Sequence, residues 1–225
     1  MMNPIYVAID TGDLARAETL ARAVAPHVGG LKLGLEFFMA QGPAGVHRLA
    51  AFGLPIFLDV KLHDIGNTIV GAIRSLSGLG LGIVNLHASV GAGAMAMARD
   101  ALDPATALIA VTVLTSFDED DLNAIGVPGA VAAQVGRLAK LTRAAGLQGV
   151  VCSGAEIAGV HALWPEALLV VPGLRPEGSA VGDQKRVMTP KRAMAAGAGV
   201  LVIGRPITGA PDPAEAAATI AAGLA

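Results

Sequence analysis

Eight short apolar runs, each followed by a polar or glycine turn and then an alanine-rich helical stretch, predict a single-domain α/β protein of 225 residues, a (β/α)8 TIM barrel. Strands are expected near 4–10, 29–34, 55–61, 83–87, 107–113, 149–152, 167–171 and 199–203. Helices between them are expected over Asp13 to Ala25, Gly66 to Gly78, Gly91 to Leu102, Pro128 to Ala145 and Asp212 to Gly223. Asp13 and Asp212 are helix-start residues, and Pro213 occupies a first-turn position, where its missing N–H costs nothing. No composition break, Ser-rich linker or charge block divides residues 1–225, so one catalytic domain is expected throughout. A doubly wound open sheet is the alternative fold.

Composition narrows the function. Hydrophobic residues make up 53% of the chain and charged residues 15%, yet runs such as Ala107-Leu108-Ile109-Ala110-Val111 and Val150-Val151-Cys152 have the length of strands. None reaches the ~18 residues of a spanning helix, so no membrane association is expected. The N-terminal Met1-Met2-Asn3-Pro4-Ile5 lacks a basic region followed by an apolar stretch, and a cytoplasmic location is expected by default. A net charge of −2 and 3% aromatic residues argue against a nucleic-acid surface. The single cysteine, Cys152, lies in an apolar strand and reads as packing. The five histidines show no close metal-ligand spacing, so a structural zinc is not expected. His87, at the end of strand 4, reads as a packed or hydrogen-bonded side chain, and Trp164 as core or interface. Gly91-Ala92-Gly93 reads as a tight βα turn, because Ala96 interrupts a dinucleotide pattern.

The segment Ile56-Phe57-Leu58-Asp59-Val60-Lys61-Leu62-His63-Asp64 carries chemistry. Alternate side chains of a strand share a face, so Asp59 and Lys61 point the same way and Asp64 can return to them from the following loop. Burying such a cluster costs several kcal/mol per ion unless pairing is good, which points to a use for it. A solvated turn is the plainer explanation of this segment alone. The other strand ends add to it. Asp10 ends strand 1, Lys32 lies late in strand 2, Thr115 and Ser116 follow strand 5, Arg175 and Gln184 lie after strand 7, and Gly204-Arg205 follows strand 8. A β/α barrel builds its active site at these C-terminal strand ends. Asp10, Lys32, Asp59 and Lys61 can form an alternating chain of charges, and Gly204 with Arg205 can hold a phosphate. The stretch from Pro172 to Pro190 is too long for an ordinary connection and reads as a binding loop or lid, or else as an insertion.

Asp10, Lys32, Asp59-x-Lys61-x-x-Asp64-Ile-Gly-Asn-Thr68, Val113-Leu114-Thr115-Ser116, Val171-Pro172-Gly173-Leu174-Arg175 and Ile203-Gly204-Arg205-Pro206 occur in this order over positions 10 to 206. In these motifs the chain resembles the orotidine 5′-phosphate decarboxylases. The resemblance implies a lyase without cofactor or metal that converts orotidine 5′-monophosphate to uridine 5′-monophosphate and carbon dioxide, the last step of de novo pyrimidine synthesis. It implies a homodimer in which Asp64 and Thr68 reach the neighbouring subunit's site. It also implies catalytic roles for Lys61, Asp59, Asp64 and Lys32, with Lys61 stabilising and protonating the C6 carbanion. Substrate contacts are implied for Asp10, Lys32, Asp59, Thr68, Thr115 or Ser116, Pro172, Arg175, Gln184, Gly204 and Arg205. Sugar-phosphate enzymes of the same barrel group share the D-x-K-x-x-D core but use Mg²⁺; the Ile65-Gly66-Asn67-Thr68 continuation and the long 172–190 segment favour the pyrimidine enzyme. A non-catalytic nucleotide-binding protein would be expected to have broken the charge array, which is whole here.

Overall fold

In the computed structural model, which describes residues 3–176 and 188–224, eight parallel strands close into a barrel in the order β1 to β8. The strands are β1 (Ile5–Ile9), β2 (Gly30–Gly34), β3 (Ile56–Leu62), β4 (Ile83–His87), β5 (Ala107–Val111), β6 (Gly149–Val151), β7 (Leu168–Val171) and β8 (Val200–Ile203). The helices are α1 (Leu14–Val24), α2 (Leu35–Ala50), α3 (Gly66–Ser75), α4 (Ala92–Ala101), α5 (Glu119–Ala124), α6 (Val131–Ala144), α7 (Ile157–Leu163), α8 (Pro190–Ala195), α9 (Arg205–Thr208) and α10 (Pro213–Ala222). The open sheet is thereby excluded. No helix among the described residues is long and apolar enough to cross a membrane.

Two separate apolar layers explain why the strands read as nearly continuous hydrophobic runs. One side of each strand packs outward against helices, with Leu31, Leu33, Phe37 and Leu49 among the fully buried residues of that shell. The other side fills the barrel with Tyr6, Phe57, Ile83, Ile109, Val151, Val170 and Val202. Small residues admit large ones inside: a Cβ on Gly30 would lie 2.3 Å from the Tyr6 ring.

Local signals account for most boundaries. The Asp13 carboxylate accepts the N–H groups of Ala15 and Arg16 at the start of α1, and Asp212 accepts those of Ala214 and Glu215 at α10. Gly91 enters α4 with φ +88°, a conformation that suits glycine. One expectation needs correction. The helix expected over 128–145 begins only at Val131, and a separate α5 precedes it, its N-terminus held by a reciprocal capping box between Asp118 and Asp121. Helix α2 is divided into two helical pieces at Gly42, φ +58° and ψ −160°, and Pro43 opens the second piece. Cys152 and Trp164 are buried, as their packing roles require. Of the 172–190 segment, residues 177–187 lie outside the described residues, and the lid expectation falls on them.

Candidate active site

Four charged side chains meet at the C-terminal mouth of the barrel. Lys32, on the inner face of β2 and 7% exposed, places Nζ 2.8 Å from Asp10 Oδ1 and 3.4 Å from Asp59 Oδ2. The other Asp59 oxygen, Oδ1, accepts Lys61 Nζ at 2.6 Å. The result is the chain Asp10–Lys32–Asp59–Lys61, two negative and two positive charges in alternation. An ammonium as buried as Lys32 loses several kcal/mol of hydration, and only its two carboxylate partners offset that. At the chain's two ends, Asp10 and Lys61 are partly open to solvent.

Burial acts most strongly on Asp59 and would raise its pKa. The ammoniums of Lys32 and Lys61, with hydrogen bonds from Lys61 and Asn85, outweigh it and hold the carboxyl below the ordinary range. Asp59 is therefore an anion at neutral pH. His87, half-buried at the end of β4 with its ring 5.2 Å from that of His63, has its pKa lowered by burial and then by His63 and Lys61. It is neutral at pH 7.

Simple strand alternation does not by itself bring Lys61 to Asp59. Leu58 pairs with Val84 and Leu62 with Leu86, so β3 spends four residue steps where β4 spends two. Lys61 sits in this bulge at φ +52°, the one non-glycine residue with positive φ among the described residues. Its backbone N–H donates to Asn85 Oδ1 at 2.8 Å, and Asn85 Nδ2 donates to Asp59 Oδ1 at 2.7 Å. Asn85 is fully buried. Sequence reasoning missed it; its one signal is a lone amide inside Ile83-Val84-Asn85-Leu86. Gly34 was missed too. A Cβ there would lie 2.6 Å from Asp10 Oδ1 and 3.0 Å from Lys32 Nζ, so the Asp10–Lys32 pair occupies the space a side chain would take.

The cleft beside this array is lined by Asp10, Lys32 and Asp59 together with Pro172, Gly173, Arg175, Gly204 and Arg205. The loops after β7 and β8 thus bring two guanidinium-bearing residues to the same opening as the charge chain. Gly204 caps α9, and Pro206 stands in its first turn. Arg175 Nη1 donates to the Leu174 carbonyl at 2.9 Å, while its backbone N–H donates to the carbonyl of Met188 at 3.0 Å and ties the two ends of the long segment together. A larger groove is lined by Arg143, Trp164, Glu166 and Leu168, at the opposite ends of the strands. Its Arg143 is already paired with Glu166 at 2.6 Å, and no charged cluster converges there.

Asp64, Thr68, Thr115 and Ser116 are not among the residues that line the cleft. Asp64 makes no ion pair with Lys61 or Lys32 within the chain, contrary to its expected return; its carboxylate instead accepts the N–H of Ile65 at 2.6 Å. The β3–α3 loop holds it outward, exposed beside Ile65, which is 72% exposed. Thr68, in the first turn of α3, is also exposed. Thr115 and Ser116 form a turn after β5, Thr115 half-buried and Ser116 exposed. Gln184 lies outside the described residues.

Comparisons with known proteins converge. The sequence model of the orotidine 5′-phosphate decarboxylase / HUMPS family matches residues 3–220. The chain is 53% identical over 224 residues to the orotidine 5′-phosphate decarboxylase of Novosphingobium aromaticivorans, covering 100% of both chains. It is 53% identical, with the same coverage, to that of Sphingopyxis alaskensis. Among solved structures, orotidine 5′-phosphate decarboxylase from Lactobacillus acidophilus superimposes with a TM-score of 0.87 at 34% identity, over 99% of each chain.

Proposed function

The chain belongs to the orotidine 5′-phosphate decarboxylase / HUMPS family and decarboxylates orotidine 5′-monophosphate to uridine 5′-monophosphate in UMP biosynthesis, and we propose that it does so without a metal or cofactor, through Lys61. The observation that carries this mechanism is the Asp10–Lys32–Asp59–Lys61 chain, which ends in an ammonium 30% open to the site.

The chemistry demands such a group. When the C6–carboxylate bond breaks, its electron pair stays on C6 in the plane of the ring, where the π system cannot spread it. Carbon dioxide leaves, and the Lys61 ammonium opposite C6 stabilises the carbanion. An N–H bond of Nζ then breaks as the new C6–H bond forms, and the neutral amine regains a proton from solvent. Asp59, ionised at neutral pH, keeps Lys61 charged and aimed. A carboxylate about 4 Å from the substrate's own would also repel it by roughly 4 kcal/mol at an effective dielectric near 20. Holding the cation in place is the larger contribution, because preorganised charge acts on the transition state.

Binding uses the rest of the cleft. Arg205, Gly204 and Arg175, with Gln184, hold the phosphate; Asp10 and Lys32 contact the ribose; Thr115 or Ser116 and Pro172 meet the pyrimidine. Asp64 and Thr68 serve the site of a second copy of the chain. Supporting that last assignment, Asp64 has no cation partner among the described residues and stands next to the exposed Ile65. Ile65 and the exposed Met97, which packs against Gly66, give this loop an apolar surface suited to contact with a second copy. A homodimer with shared sites, placed in the cytoplasm, completes the proposal. The test is a spectrophotometric assay with orotidine 5′-monophosphate in excess chelator: full turnover is expected, and turnover only after Mg²⁺ addition would refute the metal-free mechanism.

A further inference from the structure

We propose that Asn85 is a positioning residue for the decarboxylation: one end of its amide fixes the Asp59 carboxylate, the other fixes the backbone of Lys61, and together they aim the lysine ammonium. The proposal rests on the reading of Lys61 as the reacting cation.

Three contacts close a ring. Asn85 Oδ1 accepts the Lys61 N–H at 2.8 Å, Lys61 Nζ meets Asp59 Oδ1 at 2.6 Å, and the same oxygen accepts Asn85 Nδ2 at 2.7 Å. The amide's orientation is determined by its partners, since a backbone N–H only donates and an ionised carboxylate only accepts. No hydrophobic residue offers both functions, and no charged residue offers them without a change of charge. The need arises in the bulge. The left-handed conformation of Lys61 is unfavourable for a residue that carries a Cβ, and the register shift deprives its N–H of a regular ladder acceptor. Asn85 supplies that acceptor from the neighbouring strand, with no exposure to water.

The groups that face Asn85 allow a test that separates aiming from mere stability. Asp59 and Lys61 come from β3, Lys32 from β2 through Asp59, and His87 lies two residues further along β4. The inward residues of β5, Ile109 and Val111, are apolar. Asn85→Asp preserves shape and still accepts the Lys61 N–H, but sets a second carboxylate at hydrogen-bond distance from Asp59. Such a pair takes up a proton readily. Once protonated, residue 85 donates an O–H to Asp59 in place of the lost N–H.

Steady-state kinetics of the wild type, Asn85→Asp and Asn85→Ser, each checked by thermal unfolding, decide the matter. In both variants kcat is expected to fall on the order of 100-fold at about pH 8, with KM within about threefold, because misaiming touches the transition state more than ground-state binding. In Asn85→Asp alone, kcat is expected to recover as the pH is lowered toward about 5, where the carboxyl pair holds a proton. Asn85→Ser adds no titrating group and should show no recovery. Wild-type kcat with a wild-type pH profile in Asn85→Asp would overturn the proposal, as would failure of both variants to fold, which would assign Asn85 to stability. Absence of decarboxylation by the wild type in the same assay would instead remove the proposed mechanism itself.

Discussion

Replacing Lys61 by alanine tests the central step. The array Asp10, Lys32, Asp59, Lys61 sums to zero charge; without Lys61 it carries one net negative charge facing the place where a carbanion must form. Two unit charges about 4 Å apart interact by roughly 4 kcal/mol at an effective dielectric near 20. Losing the attraction of Lys61 therefore raises the barrier by about 4 kcal/mol, and the unmasked repulsion from Asp59 adds about as much again. Lys32, 3.4 Å from the other Asp59 oxygen, remains to screen part of the second contribution. The expected loss in kcat thus lies between about three and six powers of ten. The fold should persist, because the Lys61 side chain is 30% exposed and its removal opens no core cavity. The absorbance change on conversion of orotidine 5′-monophosphate gives the rate, and thermal unfolding gives the control. Lys61→Arg sharpens the test: it keeps a cation but not a readily released proton, so it should not restore turnover. A folded Lys61→Ala protein with kcat within tenfold of wild type would refute the reasoning.

Two further outcomes are expected. Lys61→Ala and Asp64→Ala are each expected to be inactive, yet mixing them after subunit exchange should restore activity, since a mixed dimer then holds one site with both residues intact; no recovery after mass spectrometry shows mixed dimers would count against sharing. Gly34→Ala should still fold, because its new Cβ, 2.6 Å from Asp10 Oδ1 and 3.0 Å from Lys32 Nζ, meets the far ends of two side chains and not backbone, but with a lowered melting temperature, since the buried Lys32 ammonium loses its close contact with Asp10. The displaced pair should lower kcat/KM by about tenfold or more, and an unchanged value would show that the Asp10–Lys32 contact is dispensable.

The strands were legible because each is buried on both sides, which writes an unbroken apolar run into the sequence; their observed limits fall within two residues of those expected. Helix α5 was not, since Asp118-Glu119-Asp120-Asp121 looks like a solvated acidic turn until Asp118 and Asp121 are seen to cap one another. In α2 the local signal holds: Gly42, at φ +58° and ψ −160°, interrupts the helix and Pro43 opens its second piece, while Phe37 in the first piece and Val46 and Leu49 in the second are all buried in the outer core.

The same physics divides the site. Ions at strand ends are conspicuous because hydration makes them costly there, so Asp10, Lys32, Asp59 and Lys61 announce themselves one by one. The parts that aim them do not. Asn85 is neutral and Gly34 has no side chain, and the need for either appears only once β3 bulges against β4 and Lys32 crosses to Asp10. Asp64 shows a third kind of limit. Its spacing from Lys61 fits a return within one chain as well as a reach into another, and the fold turns it outward toward solvent. If Asp64 serves the site of a second copy, as proposed, its own sequence carries no sign of that beyond the apolar Ile65 beside it, which is why the subunit-mixing experiment carries information that neither chain contains alone.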